Sequence, residues 1–453
     1  MGITALERVS FHGSQHILLE GRGYRPLGEV LEQKNRIFYS IPWDFLPFDT
    51  SDTQEMWTIS ANVNNFRGNI SDPNGAFRGN EEITAHFWGI GYGGAHSNFV
   101  DFMRQKDARE GVDYFSRVHM ILGDFSQEIL SANMQRDPGI QAVRFDASQP
   151  LPFRDESADY IRFNELYDDL PGAEFIVRMG RSYYQLQGRL MLDLDRGIET
   201  RKRVPVSAEE FALEWWPGGI ERLKSLNPNF LASVGYQVTP KSIRQPQHHP
   251  AYGFIEKYCG DFDEILVPLN WGAKRNLDEC LRILKPGGGL EFFDYGFFDP
   301  QFLIDHRKDI VRTIMGQPTV VVNFPFLLAD IDRDRFEVTE ETQAQYLRSN
   351  FPFEFISSSW FLDNKDNFSA FLPTGADVKS GHFPELEASP STILEMIKAL
   401  AGKKMWMTSL DITAALRAFQ FTEESIQRTI DAMLHTYNSA PDGGLYHVEI
   451  RKR

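Results

Sequence analysis

From Ile83 to about Gly172 the chain alternates strand-like and helix-like segments, and this alternation constrains the fold more than any other feature. "ITAHFWGIG" reads as a buried strand, and "AHSNFVDFMRQ" as a helix with Phe99 and Phe102-Met103 on one face. "RVHMILGD" is a second apolar strand, "SQEILSANMQR" a second amphipathic helix, and "IQAVRFD" and "ADYIRFNE" are two further strands. Strands alternating with helices imply a parallel sheet covered on both faces, so the expected fold class is α/β.

The alternation breaks at about residue 173. "LMLDLDRGIETRKRVPVS", "EWWPGG" and "RQPQHHPAYG" follow, a stretch read as a cap or lid insertion. From Asp263 the α/β pattern resumes with "EILVPLN", then "NLDECLRILKPGGG", a helix stopped by Pro and Gly, then the strand "LEFFDYG". The expected organisation is an N-terminal region over 1–80, the α/β domain over 81–172 and again over 261–385 with an extension, the insertion over 173–260, and a helical region over 386–453. In the last, "STILEMIKALAGK", "MTSLDITAALRAF" and "TEESIQRTIDAMLHTYN" carry helical periods, and "DGGLYHVEIRKR" reads as a hairpin-like end. Three helices and a hairpin resemble a winged helix. A DNA-reading helix would be basic, whereas the third helix carries Glu423, Glu424 and Asp431 against Arg428, so packing or homodimerisation is its expected role.

Charge narrows the partners. A net charge of −16 over 453 residues opposes binding to nucleic acid, which needs an excess of Lys and Arg. No apolar run approaches membrane-spanning length, and the N-terminus lacks a signal-peptide pattern. Cys259 and Cys280, the two cysteines, do not form a CxxC pair, which favours a reduced, cytoplasmic setting and two inert thiols. The charge favours small, neutral or basic partners, with no nucleic acid and no membrane.

Four motifs carry chemistry. "GIGYGG" lies between a strand and a helix, where Gly89, Gly91 and Gly93 let the backbone turn tightly and approach a ligand. A plain tight turn would use the same glycines. Asp124 ends the next strand, where a carboxylate can bind both ribose hydroxyls of a nucleoside; acids also end strands by chance. Asp146 follows the third strand, and "LPFRDESADYI" then leads into the fourth. Last comes "LRILKPGG" before "LEFFDYG".

In this order and rough spacing the four motifs resemble the class I S-adenosylmethionine (SAM) methyltransferases. "NELYDDLP", Asn164 to Pro171, is similar to the NE-aromatic-x-D-x-x-P signature of the MidA-like methyltransferases, a group that includes a mitochondrial complex I assembly factor that methylates an arginine. "GLEFFDYG" is similar to the strand-five ending of the same group, and the long insertion also fits. The resemblance covers roughly residues 80 to 300. It implies a Rossmann-like sheet with SAM as cofactor. The glycine loop would hold the methionine part, Asp124 the ribose and Asp146 the adenine amine, with Phe125, Ala147 and Asn164 as further cofactor-binding residues. Two features depart from the family pattern. Phe87 stands where an acid usually precedes the first glycine, and the interval from the glycine loop to Asp124 is longer than usual.

The acceptor pocket of such a sheet lies beyond the C-terminal strand ends. Asn164 would close its cofactor side, Glu165, Asp168 and Asp169 would face the acceptor, and Asp294 and Tyr295 would line the pocket. Glu165, Asp168 and Tyr295 are the candidate catalytic residues. The plainer readings are that Asp168 and Asp169 cap a following helix, that Asp294 and Tyr295 make packing and a turn, and that Glu174 is surface. His248 and His249 read as surface histidines of a Pro-rich loop rather than metal ligands, and Trp215 and Trp216 as core or lid packing. His86 and His96 flank the glycine loop and could touch either ligand. The expected reaction is methyl transfer to a nitrogen or oxygen nucleophile, of a protein arginine or a small natural product. A catalytically silent assembly protein and an NAD(P)-dependent oxidoreductase are the alternatives; "LRILKPGG" is foreign to the second.

Overall fold

A computed structural model describes residues 8–11, 14–20, 23–41, 56–72, 75–77, 79–91, 95–136, 139–314, 316–358, 361–362, 395, 399, 406–418, 421–438 and 444–453. The apolar strands read from the sequence are β1 (Ile83–Trp88), β2 (Val118–Asp124), β3 (Gln141–Arg144), β4 (Ala158–Asn164) and β5 (Leu284–Phe297). With β6 (Phe336–Thr342) and β7 (Gly444–Lys452) they form a sheet in the order β6-β7-β5-β4-β1-β2-β3, and the short Val322–Asn323 adds to β5. Strands β1 to β5 pair in parallel, while β7 runs antiparallel to both β5 and β6. The chain order reverses between β1 and β4, the kind of switch point at which α/β sheets hold ligands.

The register decides what the two faces bury. Trp88, Phe163 and Phe292 are cross-strand neighbours on β1, β4 and β5, and their rings stack at 6.1 and 5.2 Å. That ladder meets helix α5 (Trp271–Ile283) through Leu277, Cys280 and Ile283. One residue along, Phe87, Arg162 and Glu291 are also cross-strand neighbours, and the strand period of two puts them on the opposite face. Helices α2 (Met56–Ser71) and α3 (Ala95–Glu110) cover that face with Ile59, Phe66, Phe99 and Met103, and an ion pair from Arg67 to Asp107 joins them. Helix α4 (Gln127–Arg136) follows β2, as the sequence predicts.

The stretch read as a cap builds a second sheet, entirely antiparallel. Its strands include Ala173–Met179, Ser182–Asp193 and Val234–Ser242, and the N-terminal strands Arg8–Phe11 and Ser14–Leu18 join it. Glu264–Asn270, read as the return of the α/β pattern, pairs antiparallel with Ala173–Met179 instead. A short apolar run does not distinguish the two kinds of sheet, so "EILVPLN" alone could not reveal this. The α/β core resumes one element later, at α5. Helix α1 (Leu27–Ser40) packs on the second sheet so tightly that a Cβ on Gly28 would lie 1.7 Å from the Ala173 carbonyl oxygen.

The C-terminal region also differs from expectation. Helices cover Ser409–Ala418 and Glu423–Asn438, but the last segment is no hairpin. As β7 it fills the slot between β5 and β6, so the winged-helix likeness ends there. Except for Glu395 and Ala399, the helix read over 391–403 lies outside the described residues.

Candidate active site

The turn after β1 carries the first group of predicted residues. Gly89 and Gly91 have φ of +57° and +52°, a left-handed conformation that a side chain would strain, while Gly93 lies outside the described residues. The Gly89 amide donates to the Gly123 carbonyl at 3.1 Å, and Asn133 of α4 donates to the Gly91 carbonyl at 3.0 Å. The turn is thus pinned to β2 and α4. At the tip of β2, Asp124 is 7% exposed and accepts from the Ser126 amide at 2.9 Å. Burial raises its pKa to about 6, and the backbone amides of Ser126, Phe125, Ile90 and Gly91 pull the other way. Phe125 beside it is exposed and meets the Tyr39 ring edge-on at 5.7 Å. After β3, the exposed Asp146 accepts from the Ser148 amide and hydroxyl, and the Ala147 carbonyl accepts from Asn276 at 2.8 Å.

A cavity of about 550 Å³ opens beyond these strand ends. Gly89, Gly91, Asp124, Phe125, Asp146 and Ala147 line it from one side. Asn164, Glu165, Asp168, Asp169 and Tyr295 line it from the other, so the described candidate residues converge on one space.

The far wall is acidic and shaped by strain. Glu165 has φ of +48°, uncommon for a residue with a side chain, and its amide donates to the Phe293 carbonyl at 2.8 Å. Asp294, fully buried, accepts from the amides of Tyr167 at 2.7 Å and Tyr295 at 2.8 Å, so it holds the loop after β4 against the end of β5. Asp294 does not line the cavity; its contribution is the packing and turn named above. Asp168 and Asp169 cap no helix: Pro171 and the strand Ala173–Met179 follow them. Asp168 is 7% exposed and its Oδ1 has no hydrogen-bond partner. Burial, then the nearby charges of Asp294, Asp169 and Glu165, hold its carboxyl well above the usual range, with Arg312 opposing. Asp169 accepts from the Tyr39 hydroxyl and from Gln317 at 2.7 Å, and burial lifts its pKa to about 7.

Tyr39, Arg162, Arg312 and Gln317 line the cavity too, and sequence reasoning missed them. Tyr39 comes from α1, and Arg312 and Gln317 from the paired strands Val311–Ile314 and Gln317–Val320, far from the motifs in sequence. Arg162 carried a readable signal, a guanidinium between the apolar Ile161 and Phe163 within a strand. Behind it, Glu291 accepts from Arg162 at 3.1 Å, from Tyr346 and His447 at 3.0 Å each, and from Tyr160.

The remaining candidates separate cleanly. His96 lines the cavity, whereas His86 turns away against Phe153 at 4.6 Å, and burial lowers its pKa to about 4. Phe87 is a cavity wall packed on Phe99. His248 is exposed, but His249 is not a surface histidine: it bonds Glu174 at 3.1 Å. Glu174 is not plain surface either, since Trp271 at 3.0 Å and Gln185 at 2.7 Å also donate to it. Trp216 is buried in the core beneath the second sheet, and Trp215 donates to Glu210 at 3.0 Å. Cys259 and Cys280 are buried free thiols, and burial pushes the former up to about 12. Among the described residues no group of three His, Cys, Asp or Glu is arranged to hold a metal, and no helix is long and apolar enough to cross a membrane.

No family model and no curated protein matches the chain. Solved structures are similar to it at low identity. A COG1565 superfamily member from Burkholderia thailandensis, crystallised with S-adenosyl-homocysteine, is similar at 13% identity over 95% of this chain and 88% of that one, with a TM-score of 0.46. The YcgJ protein from Bacillus subtilis is similar at 9% identity, over 87% and 98% of the two chains, with a TM-score of 0.31. The [4+2]-cyclase SpnF is similar at 10% identity, over 94% and 95%, with a TM-score of 0.31. The cavity itself, rather than these likenesses, carries the functional reading.

Proposed function

We propose that the protein is a SAM-dependent methyltransferase of the MidA-like kind, acting in the cytoplasm on a nitrogen or oxygen nucleophile. The observation that carries the reading is one shared cavity with two chemically distinct walls. On one wall, buried Asp124 faces a left-handed glycine turn at the switch point of a parallel sheet. On the other, carboxylates cluster around Glu165. The volume lies in the range of about 300–1,000 Å³ common for small-molecule sites.

The residues fit SAM on the nucleoside side. Asp124 would accept from the ribose hydroxyls, and the glycine turn lets backbone approach the ligand where a Cβ would intrude. Phe125 and Asp146 would flank the adenine. Bound SAM supplies an electrophilic methyl group on a sulfonium. The chain's part is to orient an acceptor in line with that methyl and to remove its proton. Glu165, held at the joint between the walls, would take the proton. Asp168 and Asp169 would orient a protonated or hydrogen-bonding acceptor, such as a protein arginine or the amine or hydroxyl of a natural product.

Calorimetric titration with S-adenosyl-homocysteine is the test. Saturable binding at one site per chain is the expected result, and no heat at millimolar ligand would end the reading.

A further inference from the structure

The end of the cavity between α2, α3 and the sheet is lined by Ile59, Asn62, His96, Phe99, Phe87 and Arg162. None of these is a carboxylate, and the acids of the cavity all come from α1, from strand tips or from the loop after β4. Phe87 and Arg162 are directly opposite in the β1–β4 register, so the aromatic ring and the guanidinium form adjoining parts of one wall. The Arg162 side chain is 5% exposed, and the cavity is the space it reaches. Its orientation is fixed from behind and beside: Glu291 at 3.1 Å, the Asn164 side-chain oxygen at 3.4 Å, and the Phe293 ring at 5.5 Å. Glu291 is shared among Arg162, His447, Tyr160 and Tyr346, so Arg162 does not hold that carboxylate alone. A planar, oriented, buried guanidinium facing a cavity is suited to a carboxylate, which it can bind through paired N–H donors.

We propose that Arg162 binds the carboxylate of the amino-acid end of the cofactor, and that this end is recognised chiefly by its negative group rather than by its ammonium. The inference rests on the methyltransferase reading and specifies which part of the ligand the wall reads. With Phe87 at the adjoining position, an ammonium meets an aromatic ring and amide oxygens there but no acid.

The test compares four ligands by calorimetry on the unmodified protein: S-adenosyl-homocysteine, its decarboxylated analogue, its desamino analogue, and 5′-methylthioadenosine, which lacks the amino-acid end. Loss of the carboxylate should weaken binding about tenfold to a hundredfold, and loss of the amino group about threefold or less. Arg162→Met combined with Glu291→Gln, which avoids stranding a buried carboxylate, should reduce S-adenosyl-homocysteine to the affinity of 5′-methylthioadenosine and leave the latter unchanged. Equal binding of the decarboxylated analogue and the parent, or a larger loss from removing the amino group, would overturn the role of Arg162 while leaving the nucleoside site standing. If none of the four ligands binds, the methyltransferase reading fails and the inference fails with it.

Discussion

The two walls of the cavity solve opposite problems. The wall made by β1, β2 and β3 uses backbone amides and two carboxylates, and its polar groups are tied to one another: Gly89 to Gly123, Asn133 to Gly91, Ser126 to Asp124, Ser148 to Asp146. It is organised before any ligand arrives. The wall made by the loop after β4 concentrates Glu165, Asp168 and Asp169, with Arg312 opposing and with buried carboxylate oxygens on Asp168 and Asp169 that lack partners. Such a wall favours a ligand that donates hydrogen bonds or carries positive charge. The contrast suggests a constant ligand on the first side and a chemistry-defining one on the second.

Glu165 should break the comparison most sharply. Glu165→Gln keeps the shape and removes the base, so turnover should fall about a hundredfold to ten-thousandfold while S-adenosyl-homocysteine affinity stays within a factor of about three. Radiolabelled methyl transfer read beside calorimetry separates the two. Next comes Asp124→Asn on the opposite wall. It should weaken S-adenosyl-homocysteine about a hundredfold, because the charged acceptor for two hydroxyls is lost. Its circular dichroism spectrum should match that of the parent.

The acidic wall can be probed through pH. The Asp169 pKa is raised from 3.8 to about 7 in the folded protein. Between those values the native state keeps a proton that the unfolded chain has released, so this group lowers stability as pH rises from about 4 to 7. Asp169→Asn lacks that titration. Its melting temperature relative to the parent should therefore be a few degrees higher at pH 8 than at pH 5, and a pH-independent difference would contradict the assignment. The smallest effect is expected from Tyr39→Phe. It removes one hydroxyl shared by Asp169 and Gln317, worth about 1 kcal/mol, and should change acceptor KM several-fold with little effect on cofactor binding.

These walls also differ in how far a sequence reveals them. The cofactor wall is drawn from Gly89 to Ala147 in one run, where each acid follows its own strand, so strand periodicity and local spacing point to it. The acceptor wall joins Tyr39, Asp169 and Gln317, residues separated by 130 and 148 positions. No local pattern encodes that contact; the fit of α1 on the second sheet creates it. For the same reason the last segment read as a hairpin-like end and not as β7, the single strand between β5 and β6. Glu174 looked like surface because His249, Trp271 and Gln185 reach it only after the second sheet has formed. The left-handed backbone of Glu165, which directs the loop, leaves no trace in composition.

In the proposed function the wall from β1 to β3 holds the nucleoside of SAM with its reacting end toward Glu165. A crystal structure with S-adenosyl-homocysteine tests this directly. Both ribose hydroxyls should lie within about 3 Å of the Asp124 carboxylate, with the sulfur directed at the space beside Glu165. A nucleoside seated elsewhere, or a ribose turned away from Asp124, would contradict the account.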